Sequence, residues 1–303
     1  MELLAEFLAV CVGFIWATSG LLSVGPTQAY GALAFSRIRQ NVVCLGLLAA
    51  ILFAGMFEGV SWHQALILSI SGFVGIFLGD TFLFMALRRL GPRRNAMIFA
   101  TNAPMTALLA VWVGRDQIGG SEWTGIILVL LGVLIAILYG KPKGQLHTWE
   151  QVRGPLWVGV GFALLAALGQ AGGLVVSDFV IDVPEGDEPP ILLTALIRVG
   201  IAAVALNAMA FSGMQALQPA NPITMRHRML AIVSGLWGMG LGMSLLIWAQ
   251  SLGSEVGLIS ALSQTTPIWI LPLIWIWTRQ RPASPAFIGA GLAVAGIALI
   301  YIT

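Results

Sequence analysis

Residues 72–91, GFVGIFLGDTFLFMALRRLG, decide how this chain is read. The run is apolar, carries glycines at Gly72, Gly75 and Gly79, holds a single acid, Asp80, and closes on Arg88 and Arg89. Residues 235–253, GLWGMGLGMSLLIWAQSLG, repeat its spacing: Gly72, Gly75, Gly79 and Ala86 recur 163 residues later as Gly235, Gly238, Gly242 and Ala249. Pro104 recurs at the same offset as Pro267, and Gly125 and Gly132 recur at an offset of 164 as Gly289 and Gly296. Order and spacing together indicate an internal duplication.

The remainder of the sequence says in what medium the two copies fold. Of 303 residues 58% are hydrophobic and only 9% are charged, with a mean hydropathy of +0.92. A soluble domain carries about 25% charged residues, so this surface faces lipid. A span needs roughly 20 apolar residues. Punctuation by Gly, Pro and charge predicts ten helices at about 7–24, 31–53, 65–87, 95–113, 123–140, 155–177, 191–211, 229–250, 256–277 and 284–302. The runs are continuously apolar, without the alternation of a membrane barrel. The expected fold is therefore an all-α polytopic membrane protein. Five helices fall in residues 1–140 and five in 141–303, divided at the polar stretch KPKGQLHTWEQVRG (Lys141 to Gly154).

Five helices per repeat would insert the second copy in the opposite sense, and charge tests this. If connections alternate, the side away from the N-terminus receives Arg88, Arg89, Arg93, Arg94, Lys141, Lys143, Arg153, Arg226, Arg228, Arg279 and Arg281. The other side keeps Arg115 and most of the acids, including Asp178, Asp182, Glu185, Asp187 and Glu188 of one long connection. The positive-inside rule makes the basic side cytoplasmic, which predicts both termini outside an inner (plasma) membrane. No basic stretch precedes the first apolar run, so it is expected to stay as a helix. Cys11 and Cys44 lie in apolar runs and match neither a disulfide framework nor a metal site.

The runs GFIWATSG in helix 1 and FLFMALRRLG closing helix 3, Pro104 in helix 4 and GIILVLLGVLIAILYG in helix 5 resemble the drug/metabolite transporter superfamily, EamA type. LLIWAQSLG, Pro267 and GAGLAVAGIALIY are their counterparts in the second half. The resemblance implies a ten-helix secondary transporter of two inverted five-helix repeats with a central cavity and no dissociable cofactor, many relatives being exporters of amino acids or other metabolites. Two departures stand out. The acid usual after helix 4 is shifted to Arg115 and Asp116, and the stretch after helix 9, TRQR, has none. Helix 1 also lacks the embedded glutamate of the short multidrug relatives.

Ionisable groups inside spans come first as functional candidates, because each is costly unless paired or wetted. Asp80 is the sole intramembrane acid by this reading, a candidate for proton coupling or for substrate contact. Arg37, Arg39 and Arg198 lie six to eight residues inside helices 2 and 7, where long side chains can snorkel. Arg37 and Arg198 are expected at comparable places in the two repeats. Ser19, Asn102, Gln170 and Gln264 are polar near mid-helix, and Asn102 and Gln264 precede Pro104 and Pro267, the expected helix breaks. Trp16, Trp237 and Met243 add apolar bulk at mid-depth. A cavity of tryptophan, methionine and amides with few charges suits an amphipathic small-molecule substrate. It favours hydrophobic or aromatic amino acids over phosphorylated sugars.

The chain is accordingly expected to be a secondary exporter working by alternating access in a lipid bilayer, with or without proton coupling. Amphipathic drugs or nucleobase-like compounds are the rival substrates, and a structural or receptor-like membrane protein is the rival class. His63, His147 and His227 sit in connections, with no Cys or Asp at ligand spacing. There is no Walker loop, so catalysis, metal binding and nucleic-acid partners are not expected.

Overall fold

A computed structural model describes residues 2–55, 59–114, 118–139, 148–181, 189–252 and 262–301, and among them the backbone forms helices and no strands. Helix α1 (Glu2–Tyr30) turns into α2 (Ala32–Ala54) at Gly31, whose φ of +90° a larger residue would resist. A third crossing is built from α3 (Trp62–Gly72), a π-helical turn (Phe73–Leu78) and α4 (Gly79–Leu90). There follow α5 (Pro92–Phe99), α6 (Asn102–Trp112), α7 (Gly120–Tyr139), α8 (Leu156–Ile181) and α9 (Ile191–Phe211). The eighth crossing copies the third: α10 (Met225–Gly235), a π turn (Leu236–Leu241) and α11 (Gly242–Ser251). The chain closes with α12 (Thr266–Thr278) and α13 (Ser284–Tyr301).

Seven of these helical stretches are long and apolar enough to cross a membrane, and Thr266–Thr278 and Ser284–Ile300 are shorter apolar helices. The fourth expected run is divided into α5 and α6 at Ala100–Thr101. The ninth is broken at Gln264–Thr265, its earlier part lying outside the described residues. Also outside them are Glu58, Arg115, Asp116, Lys141, Lys143, His147, the acids from Asp182 to Glu188, and Glu255.

Helix α7 shows how sequence becomes packing here. Gly125, Val129, Gly132 and Ala136 recur at helical spacing and are buried, whereas Ile127, Leu130, Leu131, Leu134 and Leu138 are exposed and apolar. The glycine face seats α13 in the most extensive helix pair of the structure. A methyl group added at Gly125 would lie 2.5 Å from the carbonyl oxygen of Gly296, and one at Gly132 would lie 2.5 Å from that of Gly289. Position 125 meets 296 while 132 meets 289, so the two helices cross antiparallel at contacts only glycine permits. Without a hydrophobic force between helices in lipid, such close backbone approach carries the association.

Leucine at Gly132 therefore overpacks this crossing, at a cost of about 1–3 kcal/mol. Gly132→Leu is expected to lower the melting temperature of the detergent-purified chain, and an unchanged melting curve would exclude the tight crossing.

Candidate functional site

The π turns at 73–78 and 236–241 lie 163 residues apart, and each seats an arginine from the other half of the chain. Arg39 of α2 runs along Gly235 and Gly238. A methyl at Gly235 would be 3.2 Å from Arg39 Cγ, and one at Gly238 would be 3.3 Å from Nη2. Arg198 of α9 packs its backbone against Gly72 and extends its side chain past Gly75, with Nη2 3.7 Å from a methyl at Gly75. The counterpart of Arg198 is thus Arg39, not Arg37 as the sequence reading has it. Arg37 instead donates from Nε to Asn207 Oδ1 at 2.9 Å. Neither Arg39 nor Arg198 snorkels; both are buried.

Their partners differ. Asp80 emerges in the first turn of α4, immediately after a π turn that shifts the side-chain register. Its Oδ2 accepts from Arg39 Nη1 at 2.8 Å and from Gln40 Nε2 at 2.8 Å. The Arg39 guanidinium also lies over the Phe84 ring, 5.2 Å from its centroid. The residue 163 positions after Asp80 is Met243, and its Sδ is 3.8 Å from Arg198 Nη1. Arg198 Nε and Nη2 have no hydrogen-bond partner among the described residues.

The remaining sequence candidates are spread around these seats. Trp16 Nε1 donates to the Gly238 carbonyl at 3.1 Å, Ser19 Oγ to that of Ser234 at 2.8 Å, and Trp237 Nε1 to Thr18 Oγ1 at 2.8 Å. These bonds tie α1 to the end of α10 and to the second π turn, and the Trp237 ring stays exposed. Gln170 is buried on α8, its backbone nitrogen 3.4 Å from a methyl at Gly79. Asn102 opens α6, is 1% exposed, and neither amide atom has a partner. Gln264 is buried at the break before α12. Pro104 and Pro267 sit in the first turns of α6 and α12. At that position the missing N–H costs little, so each proline starts a new helix rather than bending a continuous one.

A cleft of about 400 Å³ opens where the ends of α1, α10 and α12 meet the linker between the halves. Gln28, Trp149, Arg153, Arg226, His227 and Trp277 supply its polar and aromatic walls, and none of the eight cavity candidates named from sequence lines it. The Trp149 and Trp277 rings lie 5.9 Å apart at 38°. His227 is placed by Thr224 Oγ1, 3.0 Å from Nδ1, and by an edge contact with Tyr30. The mixture suits a solute with an apolar or aromatic body and an anionic head.

The linker is fixed by two arginines that the sequence reading assigns to a basic connection. Arg93 and Arg94 are buried in α5. Arg93 Nε donates to Glu150 Oε2 at 3.1 Å and its backbone nitrogen donates to Oε1 at 3.3 Å; Arg94 Nη1 donates to the Glu150 carbonyl at 2.9 Å. Arg153 N donates to the Arg89 carbonyl at 2.8 Å. Glu150 is the physical reason for the correction: its buried carboxylate meets the Arg93 guanidinium and its backbone carbonyl meets that of Arg94, which together hold the neighbouring Trp149 in the cleft wall.

A lipid-facing bundle with repeated glycine seats, paired helix breaks and a cleft of aromatic and basic side chains at one end has the construction of a membrane transporter. The EamA-like transporter family model matches residues 3–138 and again 157–302, so the chain belongs to that family, within the drug/metabolite transporter superfamily. Among curated relatives, solute carrier family 35 member B1 of Xenopus tropicalis is 38% identical over 64 residues, 21% of this chain and 20% of that protein. An uncharacterised transporter, YyaM of Bacillus subtilis, is 28% identical over 139 residues, 44% of this chain and 45% of the relative. The chain thus spans from a fifth to under half the length of these relatives. A crystal structure superposes with a TM-score of 0.69 at 16% identity, covering 99% of this chain and 96% of the other, which supports the fold alone.

Removing one partner of a buried ion pair costs about 3–5 kcal/mol, because the other charge stays buried. Arg39→Gln or Asp80→Asn alone is expected to lower the melting temperature strongly, and the double variant to regain part of the loss. Additive losses in the double variant would exclude the pairing.

Proposed function

We propose that the chain exports small amphipathic metabolites bearing an anionic group, foremost amino acids with large apolar or aromatic side chains, by alternating access between repeats of opposite sense. The observation that carries this reading is the cleft, where Trp149 and Trp277 stand beside Arg153, Arg226 and His227. Aromatic faces take up an apolar body, and guanidinium groups take a carboxylate in two parallel hydrogen bonds. Among the described residues no carboxylate lines the cleft, which disfavours a lipophilic cation.

Arg153 and Arg226 belong to the basic connections, which we assign to the cytoplasm by the positive-inside rule. On that assignment the cleft loads from inside the cell and both termini lie outside. The helix breaks at Ala100–Thr101 and Gln264–Thr265 give each half a point about which its inner turns can tilt. Proton coupling is assigned to Asp80, the only buried acid on a membrane-spanning helix among the described residues. It would require release from Arg39.

Counterflow in proteoliposomes preloaded with tryptophan, phenylalanine, leucine, threonine, lysine or a lipophilic cation tests the substrate class. Saturable exchange of the apolar amino acids is expected; exchange of the cation alone would contradict it. Trp149→Ala and Trp277→Ala are each expected to raise KM roughly three- to tenfold, as loss of an aromatic contact implies. For coupling, Asp80→Asn in liposomes normalised for folded protein should abolish pH-driven uptake and spare counterflow. Equal loss of both would leave Asp80 a structural partner of Arg39.

A further inference from the structure

Arg198 is 1% exposed and has no carboxylate partner among the described residues. Among the described residues its one hydrogen-bond acceptor is the Met243 thioether, a weak one. In the matching seat of the other half, Arg39 is answered by Asp80; its guanidinium lies beside Gly238 as that of Arg198 lies beside Gly75, while Gly235 meets the Arg39 stem and Gly72 the Arg198 backbone. The two seats therefore share arginine and glycines and differ in the acid: 80 is aspartate and 243 is methionine. Among the described residues the elements packed on α9 are α2, α3, the first π turn, α11 and the short turn Gln215–Leu217, which carries no charge. Their charged groups offer no substitute. Arg37 is bonded to Asn207 and Asp80 is held by Arg39 and Gln40, while His63 lies in the exposed first turn of α3.

We propose that Arg198 binds a small monovalent anionic group, chloride or the carboxylate of the transported solute, in the role that the Asp80 carboxylate plays at Arg39. An isolated guanidinium inside a membrane protein is costly unless an anion meets it. The two atoms without a partner, Nε and Nη2, form one edge of the guanidinium fork. That edge is the one a carboxylate fills with two parallel bonds. Gly75 withholds a side chain from Nη2. A dianionic phosphate would call for a second cation, and no other lysine or arginine on the surrounding helices is without a partner. The carboxylate arm rests on the proposed export of anionic solutes; the chloride arm does not.

The test is the melting temperature of the purified full chain in chloride against gluconate at constant ionic strength. Saturating chloride is expected to raise it by about 5 °C. The rise should vanish in Arg198→Gln and in Met243→Asp, and the latter, with its own acid, should be as stable in gluconate as the unaltered chain in chloride. Tryptophan and tryptamine, the same ring system without the carboxylate, are then compared in gluconate. Stabilisation by tryptophan alone assigns the seat to substrate, whereas stabilisation by chloride alone assigns it to the ion. No stabilisation by either, or equal shifts in Arg198→Gln, would overturn the proposal. Chloride stabilisation in a chain that shows no flux would keep the seat and remove the export reading; flux without any Arg198-dependent stabilisation would do the reverse.

Discussion

A guanidinium taken out of water has to be met by acceptors, and among the described residues this chain buries four: Arg39, Arg93, Arg94 and Arg198. Each shapes the structure around its acceptor. Asp80 fixes α4 against α2 through Arg39. Glu150 draws the linker onto α5 through Arg93 and Arg94, and the linker in turn carries Trp149 into the cleft. Arg198 alone meets a sulfur. A break in any of these would leave a charge in a low-dielectric interior, a larger penalty than the loss of any one apolar contact.

The glycines make that burial geometrically feasible. Gly75, Gly235 and Gly238 let an arginine side chain lie against a helix backbone, Gly72 lets the α9 backbone close in at Arg198, and Gly125, Gly132, Gly289 and Gly296 let α7 and α13 touch at their carbonyls. These two sets use the same residue for different ends, a seat for charge and a seat for a helix. Their recurrence in both halves follows from the two family matches. The π turns and the helix breaks recur with them, so the irregular backbone sits where each half holds its polar groups.

Much of this was legible in sequence because lipid imposes length and composition on a helix. The apolar runs, the glycine offset and the proline pair all mark real features. Other features were hidden by distance and by loop length. The cleft draws residues from four separate segment ends, and nothing in the sequence near Trp149 points to Trp277 or His227. Arg93 and Arg94 read as loop charges because Glu150, their partner, lies 57 and 56 residues on. Arg39 is hidden in the sequence as the counterpart of Arg198 because the offset between halves is 159 there but 163 at the π turns, the connections differing in length. Asp80 stood out, but its counterpart did not, since a methionine in an apolar run carries no signal until the guanidinium beside it is seen.

The central claim is that the two halves offer equivalent arginine seats and only one built-in acid. The exchanged variant, Asp80→Met with Met243→Asp, tests it most directly by moving the acid from one seat to the other. The account predicts that it melts well above Asp80→Met alone, with the chloride response transferred from Arg198 to Arg39. An exchanged protein no more stable than Asp80→Met alone would contradict the equivalence of the seats.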